Sequence, residues 1–288
     1  MRGREGGISG FAGTAIVEAF LPHMTPFFIH RHLRTAVQAL SALLLVHTAN
    51  AALIITYAED SNSYVSTLSN TTVFNFNSIT ANTKATNLAW SNGTATIGTI
   101  DRIFVKAPDQ YGGAGPAGSN YAVDSLTVGG SNATPTTTIT FTAPHAYFGL
   151  WWSAGDALNV LTFYSEGLLV AEFTTSSLLN KLASAPEYKG NPRTNENPGQ
   201  AYAFINFFGM QGTTWDQVVF SNQGTSGFES DNWTDRATAW GTQPGETGRP
   251  PGVEVVTLTD SKLASIPEPS AALCLLAGLS LLAIRRRG

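Results

Sequence analysis

Between residues 52 and 266 the chain holds no cysteine and one histidine, His145. Its single cysteine, Cys274, sits inside an apolar run near the carboxyl terminus and reads as a small apolar residue. No disulfide can staple the central segment, so a packed core must hold it together, and a domain of roughly 200 residues has enough surface to build one. One histidine cannot supply the usual tetrahedral zinc set. A Ser-His-Asp hydrolase needs a histidine base, and His145, beside Pro144, reads instead as a loop or edge residue. Positive charge is scarce as well: the segment carries 17 Asp and Glu against 9 Lys and Arg, a net charge of −8. With no basic stripe to neutralise phosphates, nucleic acid is excluded as a partner.

Long apolar runs are confined to the neighbourhood of the two ends. Residues 271–284 are interrupted by nothing more polar than Gly278 and Ser280, and Arg285, Arg286 and Arg287 follow at once. That is a stop-transfer pattern. About 20 apolar residues cross a bilayer comfortably, so this shorter run suits a transient anchor, with the arginines on the cytoplasmic side. Near the other end, residues 1–23 are Gly-rich, whereas Met24 opens a complete export signal. Arg31 and Arg34 supply its charge, residues 37–46 its apolar stretch, and Ala49-Asn50-Ala51 the small-x-small pattern cut by signal peptidase. The expectation is translation from Met24 and a mature chain beginning at Ala52.

The tripeptide Pro267-Glu268-Pro269 stands just before the apolar tail. Tripeptide, apolar segment and terminal arginines, in that order behind an export signal, closely resemble the sorting signal of the PEP-CTERM family of exported bacterial proteins. The resemblance implies recognition by a membrane protease of the exosortase type, which removes the tail and releases or attaches the protein at the cell surface. It also implies a Gram-negative host that makes exopolysaccharide, and hence a non-enzymatic surface or matrix protein of a biofilm. A physical reason stands beside the analogy: two prolines fix φ and remove two backbone donors, which keeps the chain extended where a protease must grip it.

The segment between the targeting ends is rich in short alternating runs separated by Gly, Asn and Pro, and poor in helical periodicity. Strands are expected at 71–79, 98–105, 121–128, 136–144, 147–155, 201–209, 215–222 and 253–258. A hairpin over 158–173 turns at Glu166-Gly167. Residues 174–185 form the one short helix, with Thr or Ser as caps. The Gly-rich stretch 109–120 reads as too flexible to be an element, 186–200 as a mobile surface loop, and 242–252 as a spacer. Roughly ten strands favour an all-β fold, an antiparallel two-sheet sandwich of jelly-roll type, flanked by a signal helix and a C-terminal transmembrane helix. The stretches 147–164 and 215–232 resemble the β-sandwich ectodomains common in that family. The domain plan is therefore 1–51 extension and signal, 52–258 ectodomain, 259–266 linker and 267–288 sorting signal.

Three constellations bear on ligands. Glu229, Asp231 and Asn232, with Asp235 nearby, offer hard oxygens of the kind calcium prefers, although Asn and Asp at such spacing also build turns. Trp151 and Trp152 are consecutive, so on a strand they point to opposite faces, one into the core and one outside or under a loop. With Trp233 they are candidates for stacking on a glycan, the alternative being plain core residues. Asp156, Glu166, Glu172, Asp216, Glu229 and Asp231 are available for paired-carboxylate chemistry, whose geometry no sequence reveals, and turn-like contexts make most of them solvated charges. A carbohydrate-binding or glycan-cleaving β-sandwich is thus the alternative to a display role. Amino-terminal sequencing of the exported protein should read from Ala52; a terminus upstream of residue 45 refutes the signal assignment.

Overall fold

Glu166 and Gly167 carry the plainest turn in the sequence, and a computed structural model of the chain shows its geometry. Both residues take positive φ, 50° and 77°, matching the twist of flanking strands in a two-residue hairpin. They join β8 (Asn159–Ser165) to β9 (Leu168–Thr174) in an antiparallel pair. The structure describes residues 52–124, 136–224 and 226–259. The segment 1–51 expected to hold the export signal, residues 260–266 of the expected linker and the expected sorting tail 267–288 lie outside them. Among the described residues no helix is long and apolar enough to cross a membrane.

The remaining strands are β1 (Ala52–Tyr57), β2 (Thr72–Phe74), β3 (Thr83–Ser91), β4 (Thr96–Lys106), β5 (Tyr121–Asp124), β6 (Thr136–His145), β7 (Tyr147–Gly155), β10 (Ala201–Met210), β11 (Trp215–Asn222), β12 (Phe228–Arg236) and β13 (Val253–Thr259). One helix, α1 (Ser176–Leu182), follows β9, and a single 3-10 turn occupies Pro186–Tyr188. The fold is all-β, as expected. It is not a two-sheet sandwich: the strands hydrogen-bond in one continuous order, β13-β1-β10-β7-β12-β5-β4-β6-β11-β8-β9, with β2 added to β12 and β3 to β4.

The cause is β5. Its four residues pair with Phe228, Glu229 and Ser230 of β12 on one side and with Phe104, Val105 and Lys106 of β4 on the other. β4 then passes to β6 through Gly98, Thr99 and Ile100. This short bridge stitches what would otherwise be two sheets. The joined sheet curls over one core into a nearly closed, barrel-like arrangement. Phe207 of β10 meets Phe148 of β7, Phe163 of β8 and Phe173 of β9, at ring separations of 6.4, 5.1 and 5.4 Å. α1 then reaches β13 at the opposite end of the sheet, burying Leu178 and Leu182.

Local details depart from expectation in instructive ways. Thr175 stands at the N-cap of α1, but its hydroxyl does not cap the helix; it donates to the Asp156 and Asn159 carbonyls at 2.6 and 3.2 Å. The stretch 71–79 holds only the three residues of β2. The spacer at 242–252 is pinned, because Arg236, with 2% of its side chain exposed, bonds Glu246. The same carboxylate accepts the Gly241 N–H at 3.0 Å. Since Phe207 ties β10 to β7, β8 and β9 with no exposed surface, Phe207→Ala should cost about 3–5 kcal/mol of unfolding free energy, read by chemical denaturation.

Candidate functional site

The stretch Phe228–Arg236 looks like a turn, yet it becomes a central strand. β12 pairs with β7 on one side and with β5 and β2 on the other. Asn232 at φ 48° makes a bulge, and the register against β7 slips between Asp231 and Thr234. Phe228, Ser230 and Trp233 face the main core, where Trp233 Nε1 donates to Ser230 Oγ at 2.9 Å. Glu229 and Asp231 project from the other face. Loops cover most of that face, leaving Glu229 half-buried.

The Gly-rich stretch 109–120 is one of those covers, and it is fixed rather than flexible. Arg193 Nη2 donates to the Asp109 carbonyl at 2.7 Å, and Asn197 Nδ2 to the Gln110 carbonyl at 2.9 Å. Tyr202 OH donates to the same Gln110 carbonyl at 2.8 Å. The loop 186–200, expected to be mobile, is thereby latched to the first. A Cβ on Gly112 would fall 2.5 Å from the Tyr121 ring, so glycine here permits close packing.

Beneath the loops lies a network of acids. Asp231 Oδ2 accepts the Ala114 N–H at 3.0 Å and the Ser119 hydroxyl, while Oδ1 accepts the Asn232 N–H at 2.6 Å. Burial nevertheless pushes its carboxyl up to about 7. Glu229 is raised to about 7 as well, by burial first, its own backbone hydrogen bond opposing and Asp156 adding to the rise. Asp109 goes the other way. Burial opposes its ionisation, but hydrogen bonds from Lys106, the Tyr111 N–H and the Tyr121 hydroxyl, each 2.8 Å, outweigh it and hold the group below its ordinary range.

The oxygens of the expected calcium grouping are engaged within the protein or lie on one strand face. Asp231 is saturated by protein donors, and Asn232 Nδ2 is turned to the Tyr64 carbonyl at 2.8 Å. Among the described residues no set of three His, Cys, Asp or Glu is placed to hold a metal. Glu229 and Asp231 stand two apart on one strand face, side by side rather than opposed across a cleft; Asp231 is fully buried, against the expectation of solvated charge, and Glu229 is half-buried. Trp151, Trp152 and Trp233, expected as candidates for stacking on a glycan or as plain core residues, have no exposed surface. Trp152 and Trp233 lie in the main core. Trp151 takes the opposite face, as alternation requires, but Tyr64 and Tyr202 cover it at 5.8 and 5.9 Å.

His145 is also not an edge residue. It is 4% exposed, stacked on Phe141 at 4.3 Å, with Nδ1 bonded to Asp235. Burial raises the Asp235 carboxyl, against the opposing pull of His145. The acid that alternation most clearly hid is Asp124, fully buried at the end of β5. Burial lifts it to about 8, with Thr137 opposing the rise and Asp101 and Glu229 adding to it. Among the described residues neither Asp124 oxygen nor Thr137 Oγ1 reaches a partner in sound hydrogen-bond geometry.

One cleft, of about 290 Å³, opens elsewhere on the outer face, beside β10. Its lining includes Glu59, Asp60, Phe204 and Asn206, none of which the sequence singled out.

No protein-family model matches this chain, and no curated protein does. Among solved structures, the catalytic domain of GH87 alpha-1,3-glucanase in complex with tetrasaccharides is similar at 13% identity and a TM-score of 0.27. The match covers 68% of this chain, which spans only 29% of that one. A likeness so slight carries no argument about activity.

The acids set a pH dependence. Asp124 binds its proton more tightly folded than unfolded, so between about pH 4 and 8 the native state holds more protons and stability falls as pH rises. Glu229 and Asp231 act in the same sense up to about pH 7. Asp124→Asn, which stays neutral, should therefore match the parent closely at pH 4 and exceed it by about 3–5 kcal/mol at pH 8, as measured by urea denaturation at both values.

Proposed function

We propose that this is a non-enzymatic exported protein of the cell surface or extracellular matrix, sorted by a PEP-CTERM signal and trimmed by an exosortase-type protease. Signal peptidase acts at Ala51, and the apolar tail serves as a transient inner-membrane anchor. The observation that carries the reading is the order of Pro267-Glu268-Pro269, apolar segment and Arg285, Arg286 and Arg287 behind a β-rich body.

A feature of that body supports it. β1 and β13 are antiparallel neighbours with Ala52 opposite Thr259. The chain therefore enters and leaves the folded body at one place, and cleavage before Ala52 and beyond Thr259 removes no residue of that pair. With no cysteine in the body, folding is indifferent to the redox state of its compartment. The dense aromatic core supplies the stability that a disulfide-free extracellular protein needs. The carbohydrate alternative loses its tryptophans, which are buried, and falls back on the cleft.

The test is processing in the native host. Wild-type protein should be recovered at the surface or in the medium without its arginine tail. Deletion of the exosortase-type protease, or replacement of Pro267, Glu268 and Pro269 by alanine, should leave uncleaved chain in the inner membrane. Full-length chain in the cytosol of wild-type cells would overturn the reading.

A further inference from the structure

The cleft beside β10 has a built floor and a one-sided charge. Phe204 and Asn206 line it from the strand, and Asn206 is locked from two directions. Its Oδ1 accepts the Tyr147 hydroxyl at 2.8 Å, and its Nδ2 donates to Thr56 Oγ1 at 3.2 Å. Thr56 Oγ1 in turn donates to the Pro251 carbonyl at 2.7 Å, fixing the Pro251-Gly252 wall. The opposite wall is held by Tyr188, whose hydroxyl lies 2.7 and 2.8 Å from the Ala58 and Glu59 carbonyls. Such a site needs little reorganisation to accept a ligand.

The chemistry of the lining is specific. Glu59 and Asp60 are exposed and bring two carboxylates, Ser63 and Thr67 bring hydroxyls, and no lysine or arginine lines the cleft. Val65, which lines it too, is 52% exposed and offers apolar surface to a C–H face. Anionic ligands meet repulsion with no compensating cation. A small polyol finds acceptors, hydroxyls and an apolar side, and an ammonium on it gains charge-assisted hydrogen bonds to the carboxylates. At about 290 Å³ the space lies at the small end of ligand pockets, the size of a short saccharide segment rather than a long chain.

We infer that this cleft, lined by Glu59, Asp60 and Phe204, binds an amine-bearing sugar unit of the glucosamine type. The inference rests on the cleft alone and holds wherever the protein is sent. It places saccharide recognition on residues distinct from every tryptophan and from the buried acids of β12.

Calorimetric titration of the full-length protein in detergent tests it, with glucosamine tetramer, its fully N-acetylated counterpart and a galacturonate tetramer as probes. The free amine oligomer should bind about fivefold or more tighter than the acetylated one, and the galacturonate should not bind. The preference should shrink in 0.5 M salt, which screens exposed charge. Glu59→Gln with Asp60→Asn should abolish the preference without shifting the melting midpoint. Asp60 Oδ1, which accepts the Asn62 N–H at 2.9 Å, has a counterpart in asparagine, so the local turn survives. Failure of the amine oligomer to bind, equal affinity for the acetylated or acidic oligomers, or a preference that outlives the double substitution would each overturn the assignment.

Discussion

The middle of the sheet is largely covered on both faces, and most of the architecture follows from that constraint. β7, β10 and β12 press one face against the aromatic core and the other against loops. A strand in that position cannot sort residues simply into apolar-inside and polar-outside. Every polar atom it carries must find a partner within the protein or go without. Asp231 finds its partners in the 109–120 loop, whereas Ser153 Oγ and Trp151 Nε1, both buried, reach none among the described residues. The loops are consequently structural elements, each locked by side chains from a neighbour, and glycine serves them by allowing close approach.

This constraint also divides what could be read from the chain from what could not. The hairpin at Glu166-Gly167 was legible because the turn demands positive φ and the flanking runs are apolar. β7, β10 and β11 were legible because aromatic and β-branched residues crowd them. β12 was not. Phe228–Arg236 carries Ser, Asn and three acids in nine residues, a composition that ordinarily means a turn, and only burial by distant loops makes it a strand. β1 and β3 were missed for different reasons: β1 abuts the apolar run expected to be an export signal, and β3 sets Thr, Lys and Asn among its apolar residues, with Asn87 at positive φ. The two-sheet expectation failed because it depends on where pairing stops, and the bridge that joins the halves, β5, is only four residues long.

The candidate sites show the same division. Residue type named the acids and tryptophans correctly as unusual, but their accessibility is a tertiary property. Trp151 illustrates it: alternation placed its ring on the outer face, and that face proved to be roofed. The cleft by β10 had no signature at all. It draws on a loop at 58–67, a strand near residue 205 and a turn near residue 251, each ordinary by itself. The negative charge evident from composition does persist into the structure, divided between exposed carboxylates at the cleft and buried ones under the loops.

The pairing of β1 with β13 fixes an order of events. A polypeptide delivered from its amino end, whether by a ribosome or through a membrane channel, presents its first strand long before that strand's last partner arrives. Loop closure over some 200 residues makes this among the slowest contacts to gain. The body therefore stays unlatched, and threadable through a narrow passage, until almost the whole of it has emerged.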